Sequence, residues 1–109
     1  MNEYSRAYLK NYNNFVDENT DDLLEIYLYG NNSFLRQIAK DVIIHEHKLD
    51  EYCDNSLLED FISKINITEL WQLSGSKRSL VRHLVKNEIR VISKKNLNRN
   101  QQCTLQLVK

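Results

Sequence analysis

A chain of 109 residues with no proline and only two glycines, Gly30 and Gly75, contains almost nothing that interrupts a helix. A proline inside a helix costs about 3 kcal/mol and a glycine about 1, so their scarcity leaves helices as the default. The breaks must then come from other residues. Thirteen asparagines, many between the apolar runs, supply the turn and capping chemistry that glycine and proline usually provide. The length suits a single domain, and a hydrophobic content of 41% is enough for a core.

Apolar spacing locates the helices. Tyr8, Tyr12, Phe15 and Val16 recur at helical intervals, which predicts a first helix over Ser5–Val16. Thr20 opens a second, with Asp21 and Asp22 in its first turn where the helix dipole favours negative charge, and Gly30 is expected to end it in a left-handed conformation. Ser33 is the expected cap of a third, whose Phe34, Leu35, Ile38, Ala39, Val42 and Ile43 form one broad apolar stripe. Ser56 and Glu59 form a capping box for a fourth helix with Leu57, Leu58, Phe61, Ile62 and Ile65 on its buried face. Thr68–Leu73 is short and carries Trp71, expected to be buried between the Leu57/Phe61 and Leu80/Leu84 helices. Gly75 turns the chain, and Ser76 is the expected cap of a last helix burying Leu80, Val81, Leu84 and Val85. From Glu88 on, Ile89, Val91, Cys103, Leu105 and Leu107 alternate at period two, which predicts a C-terminal β-hairpin from roughly 89 to 108. The fold class is mainly α.

The zero net charge conceals an asymmetry. Met1 to Gly75 holds fourteen Asp and Glu against six Lys and Arg, a balance of −8, whereas Ser76 to Lys109 holds nine Lys and Arg against Glu88 alone, a balance of +8. Such a division is informative about partners. Either the two halves face each other inside one domain, or the basic end meets a polyanion.

From Ser56 the order helix, helix, tight turn, helix, hairpin resembles the winged helix-turn-helix domains of transcription regulators. Ser76-Lys77-Arg78-Ser79-Leu80-Val81-Arg82-His83-Leu84 is similar to the start of a recognition helix of that family, Ile67-Thr68-Glu69-Leu70 to the helix before it, and the loop around Arg99 to the wing. Trp71 occupies or adjoins the slot where the family usually has a small residue, unless Leu70 takes it. The resemblance implies a non-enzymatic, double-stranded-DNA-binding regulator, with 55–109 as the winged-helix-like binding half, 1–54 as an N-terminal helical extension, and a homodimer reading two half-sites. Lys77, Arg78, Arg82, Lys86 and Arg90 largely avoid the apolar rows and are positioned to meet phosphates. Ser79 and His83 lie beside them, within reach of base edges or phosphate oxygens, while Lys94, Lys95 and Arg99 belong to the expected wing.

A different class of function also fits: a small helical inhibitor of the immunity or antitoxin type, whose acidic N-terminal two-thirds covers a basic protein partner. Tyr4, Tyr8, Tyr12, Tyr27 and Tyr29 are expected to line the core edge; if exposed, they would mark a partner face or a dimer face.

Other chemistry is less well supported. His45 and His47 point about 200° apart on a helix, so they cannot share an ion. Asp41 and His45 share a face but give only two ligands, and Cys53 is not tied to them by spacing; no metal or other cofactor is expected. No nucleophile motif or phosphate-cradling glycine loop is present. Cys53 and Cys103, the only cysteines, are expected to stay reduced. No apolar run approaches the 18 or more residues of a membrane span, and Met1–Lys10 has no apolar signal core, which points to a cytoplasmic protein.

Overall fold

The computed structural model describes the backbone of residues 2–108 and the side chains of residues 2–95. It is helical: α1 (Glu3–Val16), α2 (Thr20–Tyr29), α3 (Ser33–His45), a 3₁₀ turn (Lys48–Asp50), α4 (Asn55–Lys64), α5 (Ile67–Leu73) and α6 (Ser79–Val108).

Short amide and carboxylate side chains start these helices. Asn2, Asn19, Asn32 and Asn66 accept backbone N–H bonds at the starts of α1, α2, α3 and α5, and Asp54 does the same for α4. Each such cap contributes about 0.5–2 kcal/mol. Ser33 and Ser56, expected as caps, instead lie in the first turns of α3 and α4, because Asn32 accepts the Phe34 and Leu35 N–H and Asp54 accepts the Ser56 and Leu57 N–H from just outside the helices.

The stops also differ from expectation. Gly30 has φ −67°, not a left-handed value. Its lack of a side chain matters for space: a Cβ there would lie 2.4 Å from the Ile26 carbonyl oxygen. The left-handed position belongs to His47, at φ 55°, which turns the chain out of α3.

The core is one cluster shared by both halves of the sequence. Leu23 and Leu24 of α2, Ile38, Ala39, Val42 and Ile43 of α3, Leu58 and Phe61 of α4, Leu70 of α5, and Val81 and Val85 of α6 are fully buried in it. Burying such a side chain contributes about 1.5–3 kcal/mol for the larger aliphatic and aromatic residues. α3 is central, packing against α1, α2 and α5. Here the broad stripe read from the sequence is sealed from several sides.

α1 buries no residue completely. Tyr8, Tyr12, Phe15 and Val16 lean against the core half-buried. The Tyr8 hydroxyl donates to Asp41 and the Tyr12 hydroxyl donates to Glu46 at 2.9 Å. Burial, followed by the hydrogen bond to a carboxylate, pushes the Tyr12 hydroxyl up to about 12 and raises that of Tyr8 in the same way. Both phenols therefore stay protonated and act as donors. Tyr4 and Tyr29 are exposed.

Two expectations are corrected in the last third. Trp71 is 59% exposed, not buried. Leu70 and Leu73 turn into the core from α5, which carries Trp71 to the opposite side. Ile89 and Val91, expected to open a strand, are helical within α6. Val81, Val85, Ile89 and Ile92 are spaced four, four and three apart and form one helical row of buried and half-buried residues, so the alternation of Ile89 and Val91 does not mark a strand. The expected loop around Arg99 and the second strand at Cys103, Leu105 and Leu107 lie outside the residues whose side chains are described.

Candidate nucleic-acid interface

The turn from α5 into α6 is held by a carboxylate from elsewhere in the chain. Asp50, at the end of the 3₁₀ turn, accepts the Ser76 hydroxyl and the Arg78 backbone N–H, the latter at 3.2 Å. Ser76 is thus buried as a strut before α6, and its hydroxyl oxygen shares the Arg78 N–H with Asp50 at 3.3 Å. Burial pushes the Asp50 carboxyl up, but the bonds from Ser76, Arg78 and Lys77 outweigh it and hold the group below its usual range.

The first two arginines of the basic segment turn inward to the same turn. Arg78 Nη1 donates to the Glu51 carbonyl at 3.1 Å and to Cys53 Sγ at 2.9 Å, while Nη2 donates to Asn55 Oδ1 at 3.3 Å. Arg82 Nη1 donates to the carbonyls of Ser76 and Lys77 at 2.8 and 2.9 Å. These carbonyls lie just outside helices, and the guanidinium forks satisfy them. Both side chains are half-buried. Burial raises the Cys53 thiol above its ordinary value, and the opposing pull of Arg78 does not reverse this.

Further along α6 the cations point outward. Ser79, His83, Lys86, Arg90, Lys94 and Lys95 are exposed. At about 100° per residue, Ser79, His83, Lys86, Arg90 and Lys94 share one face, opposite Val81 and Val85. Lys86, Arg90 and Lys94 follow one another at intervals of four, about 6 Å of rise each. Lys95 lies off this line. Lys77 is also exposed, over a shallow cavity of about 400 Å³ bordered by Glu46, His47 and Asp50, so its charge has acidic neighbours. Arg99 lies outside the described side chains. Of the residues expected to meet nucleic acid, the structure thus aligns Ser79, His83, Lys86, Arg90 and Lys94 and commits Arg78 and Arg82 to the turn.

Ion pairing among the described residues does not reach the outward cations. Among the described residues the salt bridges are Lys40–Glu69 at 3.3 Å and Lys48–Glu51 at 3.4 Å. On the acidic side, Asp21 accepts the Asp54 backbone N–H at 2.8 Å and serves the fold. Glu18, Asp22 and Glu25 border an open groove of about 500 Å³ with Phe15, Ile26 and Tyr29. Sequence reading did not find this groove, because it joins the end of α1 to one face of α2.

The side chains with metal-ligand chemistry have other settings: Asp41 accepts from Tyr8, Cys53 is buried against Arg78, and His45 and His47 are exposed at the end of α3. Among the described residues, no three His, Cys, Asp or Glu side chains converge, and no helix is long and apolar enough to cross a membrane. Comparison with protein-family models, with curated proteins and with solved structures gave no match.

Proposed function

We propose that the chain is a non-enzymatic, double-stranded-DNA-binding regulator whose contact surface is the outward face of α6. The observation that carries this reading is the line of Lys86, Arg90 and Lys94 at successive i, i+4 positions, with no carboxylate paired to any of them among the described residues. Like charges at this spacing destabilise a helix by about 0.2–0.5 kcal/mol per pair. A polyanion removes that repulsion and gains several phosphate contacts at once. Ser79, His83 and Asn87 lie along the same face and offer groups for base edges or phosphate oxygens. This reading keeps the basic helix of the winged-helix resemblance and relies neither on Arg78 and Arg82 nor on the wing.

Binding to random duplex DNA across a salt series tests it. Three to four phosphate contacts give a slope of log affinity against log salt of about −3 to −4. A wild-type protein that does not bind duplex at low salt would sink the proposal.

The inhibitor reading draws on the groove bordered by Glu18, Asp22 and Glu25, which suits a cationic partner. Asp21 drops out of that surface because of its bond to Asp54.

A further inference from the structure

We propose that the groove between α1 and α2 is a docking site for α6 of a second copy of the chain, so that the protein self-associates head to tail through opposite charges. This goes beyond the nucleic-acid reading and does not depend on it.

The two surfaces match in chemistry and form. Phe15, Ile26 and Tyr29 give the groove an apolar, aromatic lining, and Glu18, Asp22 and Glu25 rim it with three carboxylates. None of the three is in a salt bridge among the described residues. Tyr29 is 63% exposed, which leaves its ring available. Aromatic faces beside carboxylates suit the long stems and charged heads of Lys and Arg, through stacking and cation–π attraction as well as ion pairing. The α6 face offers Lys86, Arg90 and Lys94 in a row spanning about 12 Å.

Geometry within one molecule favours pairing between molecules. α6 packs mainly against α4 and α5, with Val81 and Val85 inward and the cationic line on the opposite face. The groove lies between α1 and α2, and α2 packs mainly against α3 and α4. The chain's own groove therefore does not cover its own stripe, whereas a neighbour's can. A formal net charge of zero means that no overall repulsion opposes the encounter. Because each copy carries both surfaces, the contact is heterologous; it closes into a ring, or into a two-fold pair when both contacts form reciprocally, and otherwise extends into a chain.

Sedimentation velocity on the full chain at about 0.01 M and about 1 M salt reads the effect, since the screening length falls from about 30 to about 3 Å between them. Wild type is expected to associate at low salt and to be monomeric at high salt. Glu18→Lys with Glu25→Lys, and separately Lys86→Glu with Arg90→Glu, should each weaken association about tenfold or more, and mixing the two variants should restore it. The milder Glu18→Gln with Glu25→Gln should fall in between, which keeps the test usable if a charge-reversed variant fails to fold. Far-UV circular dichroism monitors folding. A wild-type monomer at low salt, association that persists at high salt, or a mixture that fails to pair overturns the proposal. The Glu18→Lys, Glu25→Lys variant keeps the whole α6 stripe, so its duplex binding reports separately on the nucleic-acid reading.

Discussion

Residues 78–85, at the entry to α6, and residues 86–95 further along it both carry cations, yet the structure uses them in opposite ways. In the first stretch Val81 and Val85 are fully buried, and Arg78 and Arg82 bend back onto carbonyls of the preceding turn and of the 51–55 segment. In the second, Ile89 and Ile92 are only half-buried, Val91 is 43% exposed, and Lys86, Arg90 and Lys94 meet no carboxylate among the described residues. Position relative to the turn makes the difference. A guanidinium within reach of the carbonyls of the turn that precedes the helix satisfies them, while a cation two turns further on lies beyond their reach. A basic residue in such a segment thus reports a binding surface only after its own fold has no use for it.

The widest separation between the stretches should appear in packing. Val85→Ala removes buried methyl groups and leaves a cavity, at a cost of about 2 kcal/mol, whereas Val91→Ala should change stability by less than about 0.5. Urea unfolding of the two variants measures this directly. Equal losses would mean that the core extends along α6 well beyond Val85.

Arg78→Ala should have the next largest effect. It breaks bonds to the Glu51 carbonyl, the Cys53 sulfur and Asn55, and hydrogen bonds from charged donors contribute about 1.5–3 kcal/mol each when well buried. Arg78 is only half-buried, so solvent screening lowers the expected total loss to about 1–2 kcal/mol. Arg78→Lys should recover little of it, because an ammonium cannot replace a planar fork reaching several acceptors. Duplex affinity measured well below the melting temperature should fall far less than stability does. A variant of unchanged stability that lost duplex binding would return Arg78 to the contact surface.

Asp50, the acceptor in the same turn, should show itself through acid. Its folded pKa lies below the unfolded value of about 3.9, so its contribution is fully present above that pH and is lost as pH falls through the folded value. Asp50→Asn should lower the melting temperature at neutral pH and flatten the fall below about pH 4. A parallel fall in both proteins would show that other carboxylates govern acid unfolding.

Much of the helical frame was legible in the sequence. The apolar stripe of α3 and the starts of α2 and α5 were read nearly in place, because local periodicity and asparagine chemistry determine them. Long-range relations were not. Nothing in the spacing of Asp50, Ser76 and Arg78 announces that a carboxylate 26 residues away holds the turn, and the acidic groove draws on two helices. A large aromatic such as Trp71 suggests a core, yet Leu70 and Leu73 already occupy the inward face of a helix of only seven residues. At Ile89 and Val91 a local alternation hid the longer row through Val85 and Ile92.

The smallest effect on stability should come from the outward cations, whose substitution bears on function instead. Arg90→Ala removes an exposed side chain with no partner among the described residues, so stability should move by less than about 0.5 kcal/mol. The change should be a small gain, since two like-charge neighbours at i±4 are relieved; a small loss would argue against self-repulsion along the stripe. If Arg90 meets a phosphate, the variant's salt slope on duplex DNA should be shallower by about one unit, with random and selected sequences losing affinity alike. A loss confined to particular sequences would instead make Arg90 a base contact, worth about 1–3 kcal/mol of discrimination. The same measurement on Arg82→Ala is the control from the other stretch: Arg82 is tied to the Ser76 and Lys77 carbonyls, so its loss should lower the melting temperature and leave the slope nearly unchanged. A changed slope in Arg82→Ala together with an unchanged one in Arg90→Ala would reverse the division drawn between the two stretches.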